Sequence, residues 1–99
     1  MQQTKLKKRN ISDMQSVLKT PQGRRVLWRI LQVANVRGHG FIPADALATS
    51  FHCGQRSIGL FLLEEIERAN SLAYQQMRSE YQAEITALQN QLEEENEHE

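Results

Sequence analysis

The sequence predicts a small all-α protein, with a helical hairpin, a long carboxy-terminal helix and a flexible basic amino-terminal arm. Apolar residues recur at spacings of three and four along most of the chain, and no stretch alternates as a strand would. A chain of 99 residues has room for one hydrophobic core. We expect the arm over residues 1–11, the hairpin core over 12–70, and the extended helix with an acidic tail over 71–99.

Composition limits the environment of the protein. Cys53 is the single cysteine, so no disulfide can form within the chain, and we expect a reducing, intracellular setting. No stretch approaches the roughly 18 apolar residues of a membrane span, so we expect none.

Charge is strongly divided along the chain although the formal net charge is zero. Residues 1–37 carry nine Lys or Arg and one Asp, a net charge of +8, whereas residues 38–99 carry three Arg and eleven acidic residues, a net charge of −8. Such a division indicates an anionic partner at one end or head-to-tail pairing of copies. A basic arm and an acidic tail that only keep the chain soluble would look the same.

The first helical signal follows the arm. Met14, Val17 and Leu18 form one apolar edge of a short helix that Ser12 or Asp13 could cap. Thr20 and Pro21 then predict a second helix start, because Thr caps free amides and Pro fits the first turn.

The stretch from Pro21 to about Asn35 has the strongest helical pattern. Arg25 and Arg29 lie opposite its apolar stripe, and Arg24 and Trp28 lie together on the flank of that stripe. Gly23 is on the apolar side, where it would let another backbone come close. The stripe, which we expect to face the core, comprises Val26, Leu27, Ile30, Leu31, Val33 and Ala34.

A breaker with two glycines and a proline follows between Gly38 and Pro43. The segment 44–53 is either a short helix or the first turns of a longer one. Residues 54–69 form a clearer amphipathic helix, with Gly59 inside its apolar face. Glycine there costs about 1 kcal/mol of helix propensity relative to alanine, and close helix packing would compensate.

Ser71 is a candidate cap for the last helix. Its spacings of 7, 4, 3 and 4 resemble a coiled-coil seam in which Arg78 fills the missing position, and the seam residues are Tyr74, Tyr81, Ile85, Leu88 and Leu92. This helix should depend on docking for its stability, and its acidic end should fray.

Catalytic and metal-binding patterns are not found. His52 and Cys53 are adjacent, so their side chains diverge and cannot form a nucleophile and base pair directly. One Cys and three scattered His are too few for a zinc site within one chain. The RGHG stretch at 37–40 lacks the spacing of a phosphate-binding loop. We therefore expect no enzyme, no cofactor and no metal.

Two binding features remain. Basic residues of the amino-terminal half could neutralise nucleic-acid phosphates, or could simply be solvated; they are Lys5, Lys7, Lys8, Arg9, Arg25 and Arg29. A helix-turn-helix reading is weak, since the second helix carries acids. Arg24 with Trp28, and the seam, are candidate contacts for a partner protein, with ordinary intrachain packing as the alternative.

The motifs TPQGRRVLW at 20–28 and GQRSIGLFLL at 54–63 resemble a family of small tailed-phage proteins that is named for a Bordetella phage gene product. The matching positions are Thr20, Pro21, Gly23, Arg24, Arg25, Leu27, Trp28, Gly54, Arg56, Gly59, Leu62 and Leu63. The resemblance covers about Ser16 to Met77. It implies phage origin and a place among virion structural genes, and it supplies no catalytic residues.

With that resemblance, Gly23 and Gly59 are predicted at a helix crossing, and Arg56 is predicted to reach the first helix or a neighbouring subunit. We expect a non-enzymatic virion protein, made in the host cytoplasm and oligomeric in the particle. Its partners would be portal, tail or internal ejected proteins, with contact to packaged DNA as an open question. The alternatives are a phage nucleic-acid-binding regulator and a small inhibitor of a host protein.

Overall fold

The computed structural model describes residues 2–34 and 43–97, which form four α-helices. They are α1 (Gln2–Leu18), α2 (Pro21–Val33), α3 (Ala46–Ala69) and α4 (Ala73–Glu97). No strand occurs within these ranges, so the predicted all-α class is confirmed. The predicted breaker, together with Arg37 and the RGHG stretch, falls largely outside the described residues.

The segment expected to be a flexible arm is helical from Gln2 onward. A single helix runs through the arm and the predicted short helix, so Ser12 and Asp13 lie inside α1 and do not cap it. The reason is that Gln, Lys, Leu and Arg are good helix formers, and neither Gly nor Pro interrupts the stretch. Hydrophobic periodicity is missing there, in keeping with the exposure of residues 3–10.

The link between α1 and α2 follows the predicted capping pattern. Thr20 is the N-cap of α2, and its hydroxyl accepts a hydrogen bond from the amide of Gly23 at 3.0 Å. Pro21 occupies the first turn. Gly23 lies against the end of α1, and a side chain built on it would collide with the backbone carbonyl of Val17.

The core contains nine buried apolar side chains among the described residues. All four helices contribute to it directly or through partly buried neighbours, and α1, α2 and α4 each pack against α3. The buried residues are Leu18, Leu27, Trp28, Leu31, Ala34, Ile66, Ala69, Ala73 and Met77.

The core face of α2 is rotated from the predicted stripe towards Trp28. Leu27, Leu31 and Ala34 are buried as expected, but Trp28 is buried with them. Three members of the predicted stripe are instead exposed, namely Val26 at 45%, Ile30 at 45% and Val33 at 73%. Large aromatic surface gains most from burial, so the helix turns Trp28 inward at the expense of smaller β-branched residues.

Asp45 and Asn70 fix the two ends of α3. The carboxylate of Asp45 accepts a hydrogen bond from the amide of Ala48 at 2.9 Å, so segment 44–53 provides the first turns of a long helix. The side-chain oxygen of Asn70 accepts from the amide of Leu72 at 3.0 Å in the short link to α4. Asn70, rather than the predicted Ser71, is therefore the side chain that organises this link.

The molecule is elongated and flat. Its Cα radius of gyration is 17.8 Å, against about 13 Å for a compact domain of this length. Its extents are 65 × 43 × 16 Å, so it is much thinner along one axis than along the other two. Such a thin arrangement leaves much apolar surface uncovered.

Candidate protein-interaction groove

Arg24 joins three helices where α2 meets α4. Its guanidinium forms a two-point ion pair with the carboxylate of Glu80, with Nε to Oε1 at 2.7 Å and Nη2 to Oε2 at 3.2 Å. A third nitrogen, Nη1, donates to the carbonyl oxygen of Leu18 at 2.8 Å, at the end of α1. The Arg24 side chain is 13% exposed. Paired in this way, Arg24 orients α4 relative to α1 and α2.

Trp28 lies one turn further along α2 and contacts two tyrosines of α4. Its ring centroid is 5.5 Å from that of Tyr74 and 5.6 Å from that of Tyr81, and both pairs are tilted. These separations are favourable for aromatic pairs. We call the set Arg24, Trp28, Tyr74, Glu80 and Tyr81 the α2–α4 joint.

The indole nitrogen of Trp28 is buried and has no hydrogen-bond partner among the described residues. An unsatisfied buried donor costs about 1 to 3 kcal/mol. Burial of the large ring therefore outweighs the lost hydrogen bond at this position. The sequence is compatible both with packing of Trp28 within the chain and with contact to a partner. The structure places it in intrachain packing, and any partner contact remains a prediction.

An open groove of about 680 Å³ begins at the joint, where α4 continues past α2. One wall is basic and belongs to α2, and the other is mixed apolar and acidic and belongs to α4. The lining residues are Arg24, Arg25, Trp28, Arg29, Met77, Glu80, Tyr81, Glu84, Ile85 and Leu88. The groove can accommodate several side chains of a partner and is far larger than an ion site.

Most of the predicted partner-contact residues come together in this groove. Arg24, Trp28, Tyr81, Ile85 and Leu88 line it, and so do Arg25 and Arg29, which were considered for nucleic acid. Tyr74 lies behind Trp28.

The other candidate residues are elsewhere. Leu92 is 59% exposed further along α4, and Arg56 lies half-buried on α3. The remaining basic candidates are exposed on α1, and they are Lys5, Lys7, Lys8 and Arg9. Gly59 is buried on α3, consistent with its predicted packing role.

The predicted seam of α4 is only partly used within the chain. Tyr74 and Ile85 are half-buried, whereas Leu88 and Leu92 are 50% and 59% exposed. Met77 takes the core position next to Tyr74 and is 2% exposed. Arg78, which the seam spacing predicted there, is exposed. A charged side chain would be costly in this apolar site, and Met77 reaches it from the adjacent position.

Sequence reasoning missed Glu80, Glu84 and Met77 as groove residues. Glu80 is the most informative omission, because it is the partner that holds Arg24. The sequence around Arg24 could not predict this ion pair, because Glu80 is 56 residues away in the chain. An acidic residue one position before Tyr81, on the edge of an apolar seam, is the only local signal that could have suggested it.

No group of three or more His, Cys, Asp or Glu side chains within the described residues is placed to hold a metal ion. Cys53 is exposed, and the nearby His52 has its Nδ1 3.2 Å from the side-chain oxygen of Gln55. Across the described ranges, no helix has the length and apolar character required to cross a membrane.

The fold and the groove together define a class: a small, flat all-α protein with an open, arginine-rich groove beside a projecting helix. A protein-family model identifies the family of the chain. The chain belongs to the Bbp19-like phage protein family, whose model matches residues 14–79. This range contains the 16–77 stretch in which the resemblance was seen. Comparison with curated proteins and with solved structures gave no match.

Proposed function

We propose that this phage protein is a non-enzymatic component of the virion that acts by protein–protein assembly. It would be made in the host cytoplasm and incorporated at the portal or head–tail vertex, or among the internal proteins ejected with the DNA. The observation that carries this proposal is the groove between α2 and the projecting part of α4.

The surface chemistry of the groove supports a protein partner. Arg25 and Arg29 are exposed on one wall, and Tyr81 and Leu88 are 43% and 50% exposed on the other. Arginine and tyrosine are enriched at protein interfaces, where they combine apolar contact with hydrogen bonding. An amphipathic helix with apolar residues on one side and carboxylates along its edge would match both walls.

The composition of the particle is the first test. Mass spectrometry of purified virions should detect the chain as a stoichiometric component. Its absence from infectious particles would overturn the assembly proposal. A density map of the whole particle would then locate the chain and identify what lies in the groove.

A charge reversal in the groove tests the docking surface itself. Arg25→Glu combined with Arg29→Glu should strongly reduce incorporation, because it makes the basic wall repel an acidic partner. Lys7→Glu combined with Lys19→Glu is the matched control, since both lysines are also basic and exposed but do not line the groove. Equal incorporation of both variants would remove the groove from the proposal.

The nucleic-acid-binding alternative has one supporting observation. Lys5, Lys8 and Arg9 fall within about 100° of the circumference of α1. All three are exposed, on the side away from Ile11 and Met14, which pack against the core. A helical face with three cations could follow a phosphate backbone, as in a DNA-binding regulator or a protein beside packaged DNA.

Salt dependence tests this alternative. If α1 contacts phosphates, retention of an unrelated DNA duplex should weaken steeply with added salt, and Lys5→Gln, Lys8→Gln and Arg9→Gln together should abolish most of it. The variant Arg25→Gln with Arg29→Gln tests whether the groove contributes to DNA binding. If it does, this variant should lose the retention that remains in the α1 variant. No retention of duplex at low salt would exclude the alternative.

A further inference from the structure

An uncovered apolar stripe runs along α3. Leu47, Phe51, Ile58 and Phe61 are 85%, 68%, 66% and 61% exposed, although each is a large hydrophobic side chain. Gly54 lies between Phe51 and Ile58, and a side chain built on it would meet nothing within 4 Å. We call these five residues the α3 stripe.

The stripe is separate from the core face of the same helix. Gly59 and Ile66 mark the buried side of α3, and the centre of the stripe lies about 100° around the helix from them. The stripe is also separate from the α2–α4 groove, which no α3 residue lines. It is therefore a second surface, which the seam analysis of the sequence did not detect.

The spacing of the stripe is that of a coiled-coil seam, and it is symmetric about Gly54 to within one position. Its residues are separated by 4, 3, 4 and 3 positions, the alternation that keeps side chains along one line of a helix. Leu47 and Phe61 each lie seven positions from Gly54, and Phe51 and Ile58 lie three and four positions from it. A reversed copy of the helix therefore brings Leu47 level with Phe61 and Phe51 nearly level with Ile58.

We propose that a second copy of this chain covers the stripe, with the two α3 helices antiparallel and related by a twofold axis near Gly54. Leu47 of each copy packs against Phe61 of the other, and Phe51 packs against Ile58. The two glycines meet at the axis, where the absence of side chains lets the backbones come close. The contact is isologous, so it closes as a dimer.

The charges on α3 favour the antiparallel arrangement. Arg56 is the only Lys, Arg, Asp or Glu between Ala46 and Leu63. Charge repulsion along the stripe itself therefore excludes neither a parallel nor an antiparallel pair of α3 helices. Glu65, however, continues the line of the stripe one step beyond Phe61. A parallel pair would place the two Glu65 carboxylates against each other. The antiparallel pair keeps the two carboxylates at opposite ends of the contact, so it carries no such repulsion.

The size of the stripe fits a small dimer interface. If a fully exposed large side chain has roughly 200 Å² of surface, the four apolar residues present on the order of 500 Å² per copy. A symmetric pair would then bury about 1,000 Å², the lower limit for a specific interface. The molecule is only 16 Å thick, so a second copy would also supply the helical layer that α3 lacks on this side.

Sedimentation equilibrium of the full chain tests the association. We expect a monomer–dimer equilibrium in the micromolar to submillimolar range for the unaltered protein. Ile58→Glu should raise the dimer dissociation constant about a hundredfold or more, because it buries two unpaired carboxylates at the contact. Leu92→Glu is the matched control, since it introduces the same charge at a similarly exposed apolar residue of α4 and should leave the dimer intact. Circular dichroism of each variant checks that the helices remain folded.

Cysteine crosslinking tests the direction of the helices. In a Cys53→Ser background, Leu47→Cys and Phe61→Cys chains are oxidised separately and as an equal mixture. The antiparallel pair predicts a disulfide in the mixture alone, between position 47 of one chain and position 61 of the other. Disulfides formed within either separate sample would overturn the arrangement.

A monomer over the whole concentration range would overturn the proposal, and so would a dimer that Ile58→Glu and Leu92→Glu affect equally. Capture of a different virion protein by a monomeric chain, lost in Ile58→Glu, would also overturn it by identifying another occupant of the stripe. The groove variant Arg25→Glu with Arg29→Glu should dimerise normally, so the dimer and the assembly function can fail independently.

Discussion

Trp28 and Phe51 are both large aromatic side chains on amphipathic helices, yet Trp28 is 8% exposed and Phe51 is 68% exposed. The difference lies in what surrounds them. Tyr74 and Tyr81 of α4 enclose Trp28 in the α2–α4 joint, whereas the described chain provides no such cover for Phe51 on the α3 stripe. Apolar character alone therefore does not decide burial in a chain of this size, because four helices in a thin layer cannot cover every apolar face.

The joint and the α3 stripe should therefore respond differently to substitution. Changes in the joint should lower the free energy of unfolding of a single chain, because its contacts are intramolecular. Changes to the four apolar side chains of the α3 stripe should leave that free energy almost unaltered and act on association instead. The following predictions test the contrast, from the largest expected effect on folding to the smallest.

Trp28→Ala should give the largest loss of stability. Truncating a buried aromatic side chain typically lowers the free energy of unfolding by about 3 to 5 kcal/mol, a large share of what a small domain has. Urea denaturation followed by far-ultraviolet circular dichroism measures the loss. Trp28→Phe should lose much less, because it retains a ring between the tyrosines and removes the unpaired indole N–H. A fully stable Trp28→Ala protein would show that the joint is not the centre of the fold.

Gly23→Ala and Gly54→Ala should have opposite signs. At Gly23 the added methyl collides with the backbone of Val17, so α1 and α2 must move apart, at a cost of about 1 to 3 kcal/mol. At Gly54 the methyl meets nothing, and the gain in helix propensity should stabilise the chain by about 0.5 to 1 kcal/mol. Thermal unfolding of the two variants side by side, at a concentration where the chain is monomeric, gives the comparison. The same sign for both would contradict the close approach at Gly23.

Glu80→Gln should have a moderate effect. It removes the charge of the carboxylate that pairs with Arg24, and for a pair that is partly open to solvent we expect a loss of about 1 kcal/mol. The loss should shrink in high salt, because screening weakens the pair in the unaltered protein. Glu84→Gln, one turn further along α4, is the control and should be nearly neutral. Equal losses for the two variants would mean that the Arg24 pair contributes nothing specific.

Ile58→Glu should have the smallest effect on folding. Ile58 is 66% exposed, and surface substitutions of this kind usually change the free energy of unfolding by less than about 0.5 kcal/mol. The measurement is urea denaturation at a concentration where the chain is monomeric. A loss comparable with that of Trp28→Ala would place the stripe in the monomer core and end the contrast between the two regions.

Local patterns predicted much of the fold. The Thr20–Pro21 start of α2, the all-α class and the close approach at Gly23 follow from capping, periodicity and the absence of a side chain, which are properties of neighbouring residues. The rotation of α2 was not predictable in this way. It depends on the two tyrosines about 50 residues away that surround Trp28, and a helical wheel of α2 contains no information about them.

The candidate groove was only partly predictable, because it too depends on contacts between distant segments of the chain. Its residues were identified on each helix separately, but the pairing of Arg24 with Glu80 joins two distant segments. The α3 stripe was not recognised because segment 44–53 and residues 54–69 were considered separately, whereas the stripe crosses from one to the other in a single helix. Two apolar lines on one helix are hard to distinguish by periodicity when both repeat at three and four residues.

The length of α4 beyond the joint gives small changes at its base a large effect at its tip. From Tyr81 to Glu97 the helix advances by roughly 24 Å at 1.5 Å per residue. A tilt of about 10° at the base would therefore displace the far end by roughly 4 Å, about the width of a side chain. The Arg24 guanidinium donates two hydrogen bonds to Glu80 on α4 and a third to Leu18 on α1, so Arg24 helps set the position of the acidic end in space.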